Sequence, residues 1–213
     1  MKCFEHKLRH SKADIKYIVM DMSGPYSSWA AACLPNAGIV YEHFHVIRKM
    51  NQCLDAVRRR SMAEMDSEQQ RLVRKRRYLF LHNREDLQEE GKRHLETIIE
   101  KCSDLGKAYT MKEELRTIYA MQDRHDANLA LAEWCFNACR LGIPELEAMA
   151  KCICTHWLGV LAYWDGHLTS GKMEGFNNKI RALIRQAYGY HDDEYFKLKL
   201  YDLPDLKVVE CGQ

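Results

Sequence analysis

Apolar and polar positions along this 213-residue chain change rhythm several times, and each rhythm predicts an element. Residues 15–20, IKYIVM, form a compact apolar run rich in β-branched side chains, closed by Asp21 and the turn signal MSGPY. This pattern predicts a buried strand that delivers an aspartate at its C-terminal end. Pro25 suits the first turn of a helix through SSWAAACL, which Pro35 and Gly38 then break. GIVYEHF at 38–44 predicts a second short strand. A strand, a helix and a strand within about thirty residues fit a βαβ unit with parallel pairing.

From Val46 the period becomes helical, with Val46, Met50, Cys53, Leu54 and Val57 recurring along one face. Helical patterning then continues to about residue 164. Its expected breaks are Ser103–Gly106 and the pair Gly142 and Pro144, glycine past one helix end and proline inside the next start. Residues 1–12 suit a short basic helix, and a last helix is expected from residue 192 to Tyr201.

The segment GKMEGFNNKIRALIRQAYG at 171–189 predicts an amphipathic helix ended by Gly189. At 100° per residue, Glu174, Asn178, Arg181 and Arg185 share a ~60° sector. Phe176, Ile180, Leu183, Ile184 and Ala187 lie opposite, which predicts a buried face behind a narrow polar line. Helix chemistry alone makes Glu174 a first-turn acid near an N-capping Gly171. A functional role requires a second carboxylate, and Asp21 is the best candidate. A carboxylate ending a buried strand and another at the start of a packed helix suit a hard cation, which takes oxygen ligands.

Composition changes this picture little. Apolar residues are 46%, charged residues 29%, and the net charge of +2 does not announce a nucleic-acid binder. Charge is uneven, however: Arg58, Arg59, Arg60, Arg71, Arg74, Lys75, Arg76 and Arg77 concentrate in one region, either as a solvated helix face or as a DNA contact. Nine cysteines without a signal sequence point to free thiols and a reducing, cytoplasmic setting. No apolar run approaches the ~20 residues that span a membrane. Cys135-x₃-Cys139 and Cys152-x-Cys154-x-His156 have the composition of a zinc site, but helical placement makes buried thiols the better reading. Trp134, Trp157 and Trp164 read as core anchors, or as platforms for an unpaired base if exposed.

Four segments carry a resemblance to a known family: VMDMSGPY at 19–26, LPNAGIVYEHFHVIRKMNQCLDAVRR at 34–59, GKAYTMKEELRTIY at 106–119 and HLTSGKMEGFNNKIRALIRQAYGY at 167–190. In this order they resemble the C-terminal part of the catalytic domain of DDE-type insertion-sequence transposases of the ISL-three group. The resemblance implies an α/β, mostly helical fold: a ribonuclease-H-like core interrupted by a large all-α insertion. The expected parts are 1–45 (core strands with Asp21), 46–168 (helical insertion) and 169–213 (C-terminal core helices with Glu174).

By motif, Asp21 corresponds to the family's second catalytic aspartate and Glu174 to its glutamate, together holding Mg²⁺ or Mn²⁺. Arg48, Lys49, Asn177, Asn178, Lys179, Arg181 and Arg185 are the expected DNA contacts. Glu42, in YEHFHV, stands where the family usually has aspartate and is expected to be site-adjacent or structural, with His43 and His45 beside it. The family's first aspartate ends an apolar run on an earlier strand. The residues before Asp21 hold only Glu5 and Asp14 as acids, neither behind such a run.

The expectation is therefore a partial core whose first strands are missing. It describes a truncated copy, inactive or weakly active, with weak or absent metal binding. Its expected partners are element-end and target DNA, and a second copy or a full-length transposase. The contrasting expectation is a non-catalytic fragment that binds DNA through the Arg58–Arg77 region or pairs with a transposase.

Overall fold

Two four-residue strands begin the described part of the chain in this computed structural model, which describes residues 10, 14–74, 76–169 and 171–202. The expected helix over 1–12 lies almost wholly outside them. Strand β1 (Tyr17–Met20) pairs in parallel with β2 (Gly38–Tyr41), in the register Tyr17↔Gly38 to Met20↔Tyr41. Helix α1 (Gly24–Cys33) joins them, with Pro25 in its first turn. Parallel strands need such a crossover, because no tight turn can connect them.

Strand β2 ends three residues before the sequence pattern predicts. Glu42 is extended, and its carbonyl accepts from the backbone N–H groups of His45 and Val46, so helix α2 (His43–Glu64) starts at once. The HFH residues fit either element locally; the two backbone bonds decide for the helix. From there the expected face is buried, with Val46, Met50, Leu54 and Val57 all at 0% exposure.

The remaining helices of this unit are α3 (Ser67–Arg74), α4 (Arg77–Leu81), α5 (Glu89–Lys101), α6 (Ser103–Tyr119), α7 (Arg124–Arg140), α8 (Pro144–Thr155) and α9 (Trp157–Leu161). Helix α2 packs on α6 and α8, and α7 lies between α6 and α8. Gly142, at φ +67°, and Pro144 make the α7–α8 turn as expected. Gly106 does not break the chain. The break falls at Cys102, and Gly106 lies inside α6, where a Cβ would sit 2.9 Å from the Ile99 side chain. Only a residue without a side chain lets α6 fold back so closely on α5.

Several polar groups inside this core are paired in specific ways, although the Tyr119 hydroxyl finds no hydrogen-bond partner among the described residues. The indole N–H of Trp134 donates to the Met111 carbonyl, and that of Trp164 to Met121. Lys112 is 1% exposed, and its ammonium donates to the carbonyls of Phe80 and His82. Arg60 ties three helices together, reaching Glu145 at 2.9 Å and Asp104 at 3.2 Å. At the sheet, Gly159 of α9 lies against Tyr41, whose ring atoms would be 2.6 Å from an added Cβ.

A second unit spans Thr169–Gln213 and contains α10 (Gly171–Gln186) and α11 (Asp193–Tyr201). The Asp192 carboxylate caps α11 by accepting from the backbone N–H groups of Glu194 and Tyr195. Helix α10 stops through Tyr188 and Gly189, at φ +53° and +101°, with the Gly189 N–H reaching back to the Ile184 carbonyl. This six-to-one bond is a Schellman ending. Its left-handed position is occupied by tyrosine, and the glycine follows.

Candidate metal and DNA site

Asp21 follows β1 and Glu42 follows β2. Because Met20 and Tyr41 are register partners, the two acids emerge side by side at one end of the sheet. Their side chains part there. Asp21 is exposed, and among the described residues no hydrogen bond or ion pair occupies its carboxylate. The chain is anchored immediately after it. Met22 is buried, and the Ser27 hydroxyl meets the Tyr41 hydroxyl at 2.9 Å, fixing α1 to β2.

Glu42 turns inward and is 3% exposed. Its carboxylate lies 3.7 Å from His45 Nε2. The neighbouring His43 ring packs against Tyr163 at 5.2 Å and Tyr119 at 6.0 Å. Burial lowers the His43 pKa, with the Glu42 charge opposing it, and burial followed by the same charge raises that of Tyr163. Glu42 is thus part of a polar and aromatic cluster beneath the sheet end, in keeping with a site-adjacent or structural place. Arg48 is exposed one turn further along α2, and Lys49 is half-buried.

Helix α10 displays its polar line. Asn177, Asn178, Lys179, Arg181 and Arg185 are all exposed. The Arg181 guanidinium donates to the Asn178 side-chain oxygen at 3.0 Å, and Arg185 Nε to the Arg181 carbonyl. The face behind it is not buried as the pattern predicts: Phe176, Ile180 and Leu183 are half-buried, Ile184 is 39% exposed, and Ala187 lies beyond the helix end. A unit of two helices contains too little apolar surface to cover its own sides. Glu174 belongs to the first turn of α10, but its side chain lies outside what the structure describes.

Asp21 suits a hard divalent cation as one exposed oxygen donor, since Mg²⁺ is commonly held by one or two carboxylates with water. Among the described residues no group of three or more His, Cys, Asp or Glu side chains is arranged for a metal ion. That result covers the cysteine motifs. Helix α8 is continuous through Cys152 and Cys154, and Cys135 is buried in α7 with its thiol pushed up to about 12 by desolvation. Cys139 and Cys154 are exposed, so only part of the buried-thiol expectation holds.

The basic run divides too. Arg58 is 8% exposed and bonded to Asp55, and the half-buried Arg60 is engaged by Glu145 and Asp104, so neither guanidinium is free to serve as a DNA contact. Arg59, Arg71 and Arg74 remain exposed; Lys75 and the Arg77 side chain lie outside the described residues. Sequence reasoning missed the role of Lys112, because a lysine in helical spacing gives no sign that distant carbonyls will surround it.

Among the described residues no helix is long and apolar enough to cross a membrane. No solved structure matches the chain. The transposase of insertion sequence element IS1001 from Bordetella parapertussis is 32% identical over 189 residues, covering 87% of this chain and 47% of that protein. The transposase of IS1557 from Mycobacterium tuberculosis H37Rv is 26% identical over 205 residues, covering 85% of this chain and 46% of that protein. The chain therefore spans about half the length of the curated relatives it matches. A family profile described as a transposase, of the DDE type and ISL3 group, matches residues 1–200. With a match over nearly its whole length, the chain belongs to the ISL3-type DDE transposase family.

Proposed function

We propose that this chain is the part of a DDE transposase that contributes Asp21 and Glu174 to the metal site and α10 to the DNA path. The small parallel sheet and the second unit are read as pieces of a ribonuclease-H-like core, with 46–168 as its helical insertion. The observation that carries the reading is the placement of Asp21. It is an exposed carboxylate with no partner among the described residues, at the end of a short parallel strand, on a loop fixed by Met22 and the Ser27–Tyr41 contact.

Bound there, Mg²⁺ or Mn²⁺ would supply activation of water and stabilisation of the leaving oxygen in phosphodiester hydrolysis and strand transfer. Asp21 and Glu174 would donate oxygens. The Asn178, Arg181 and Arg185 line, with Asn177, Lys179, Arg48 and Lys49, would bind and orient the DNA backbone, since phosphate contacts set register without reading sequence. Two carboxylates leave a two-ion site short of ligands, so the chain alone is proposed to cleave weakly or not at all. Its partners are DNA and a second copy or a full-length transposase.

The test is binding of the purified chain to duplex DNA carrying an insertion-sequence end, across roughly 50 to 200 mM salt. Affinity is expected to fall steeply with salt, and Arg181→Ala and Arg185→Ala each to reduce the slope by about one. Absence of affinity at low salt, or a slope untouched by either substitution, would reject this DNA path.

A further inference from the structure

Trp134 and Trp164 are core anchors as expected, 2% and 6% exposed and hydrogen-bonded inside the core, and Trp157 is half-buried, so none of the three stands out as a stacking platform. The structure offers a different aromatic. Tyr78 of α4 is 71% exposed and lines an open pocket of about 430 Å³ between α4 and the start of α5. That volume lies within the range of small-molecule sites. Buried Leu87 forms part of the lining, and Arg76 and His94 contribute a fixed polar wall: the guanidinium meets His94 Nε2 at 3.0 Å. Asp86 and Glu90 add two carboxylates. One Asp86 oxygen takes the Asn83 amide at 2.6 Å.

This lining selects a ligand class. Among the described lining residues one guanidinium stands against two carboxylates, a balance that does not favour a phosphate. Ionised carboxylates only accept hydrogen bonds, so they call for a ligand with N–H or O–H donors, and a flat aromatic wall beside them suits the amino group of a planar ring. An exposed phenol ring and a guanidinium plane are the surfaces on which planar heterocycles stack. Exposed Arg71 and Arg74 on the preceding helix supply positive charge for a backbone outside the pocket.

We propose that this pocket receives one unpaired DNA base bearing an exocyclic amino group, stacked on Tyr78 with its amino edge toward Asp86 and Glu90. This rests on the DNA-binding reading above. A base inside a duplex cannot enter, so the base is extruded or already single-stranded. The preference runs against thymine, whose one N–H donor, at N3, lies between two carbonyl oxygens that a pair of carboxylates would repel.

The test uses the full chain and a short thymidine oligonucleotide, with or without one central 2-aminopurine, whose fluorescence reports stacking. The substituted oligonucleotide is expected to bind more tightly than the plain one. Tyr78→Ala should weaken its binding about tenfold, within the cost of losing one base–aromatic stack. Tyr78→Trp should preserve binding, Asp86→Asn should erase the preference over thymidine, and duplex affinity should stay unchanged in all three. Equal affinity of Tyr78→Ala and wild type for the single strand, with duplex binding intact, would overturn the pocket assignment alone. A wild-type chain that binds neither form of DNA would overturn it together with the reading beneath it.

Discussion

Asp21→Asn is expected to lower the affinity of the chain for Mn²⁺ at least tenfold while leaving its thermal unfolding where it was. The two halves of this result have separate causes. The carboxylate is exposed and no described residue uses it, so an amide of the same shape removes no contact and leaves no buried group unpaired. Surface changes of this kind usually stay within about 0.5 kcal/mol. A hard cation, by contrast, draws its affinity from the charge and number of its oxygen ligands. Tenfold corresponds to about 1.4 kcal/mol, modest for the loss of one anionic ligand from a weak site. Calorimetric or paramagnetic titration with Mn²⁺ measures it. Unchanged affinity would place the metal elsewhere or remove it from this chain.

Lys112→Met should be the most destabilising single change considered, by about 3 kcal/mol, in the range found when one partner of a buried charged network is removed. The ammonium donates to Phe80 and His82 at 2.9 and 2.7 Å, lies 3.0 Å from Glu113, and sits over the Tyr109 ring at 4.5 Å. Methionine fills the space of the aliphatic stem but leaves two carbonyls without their donor and Glu113 with Arg116 as its remaining cation. Those carbonyls end α4, a five-residue helix too short to persist without tertiary support. In a chain of this size the loss appears as a melting temperature lower by roughly 10 °C. A shift below about 2 °C would show that the lysine is not what holds α4. Because α4 carries Tyr78, the same variant is also expected to impair the pocket.

The sequence makes the local elements of this protein readable where chemistry restricts the backbone. The β-branched run before Asp21 forms a strand, though one exposed at Tyr17 and half-buried beyond it rather than buried as expected, and Pro25 at a helix start and the Gly142–Pro144 turn stand where their residue types require. Misreadings occur where a distant group decides. Gly106 looks like a break until Ile99 is seen against it, and Arg60 looks solvated until Asp104 and Glu145 arrive from two other helices. Strand β2 is predicted three residues too long because HFHV satisfies both periods, and only backbone bonds to the Glu42 carbonyl settle its end. In the candidate site, the polar line of α10 follows from helical geometry alone. Burial of its opposite face does not, because periodicity shows which residues share a side without showing what lies against it.

That Asp21 and Glu174 hold the same ion is the claim on which the functional account depends. Paramagnetic broadening of backbone amide signals by substoichiometric Mn²⁺ tests it most directly, and does so even where binding is weak. Signals around Asp21 and those of the first turn of α10 are expected to broaden together, and Asp21→Asn or Glu174→Gln to relieve both regions at once. Broadening confined to one region, or surviving both substitutions, would contradict it.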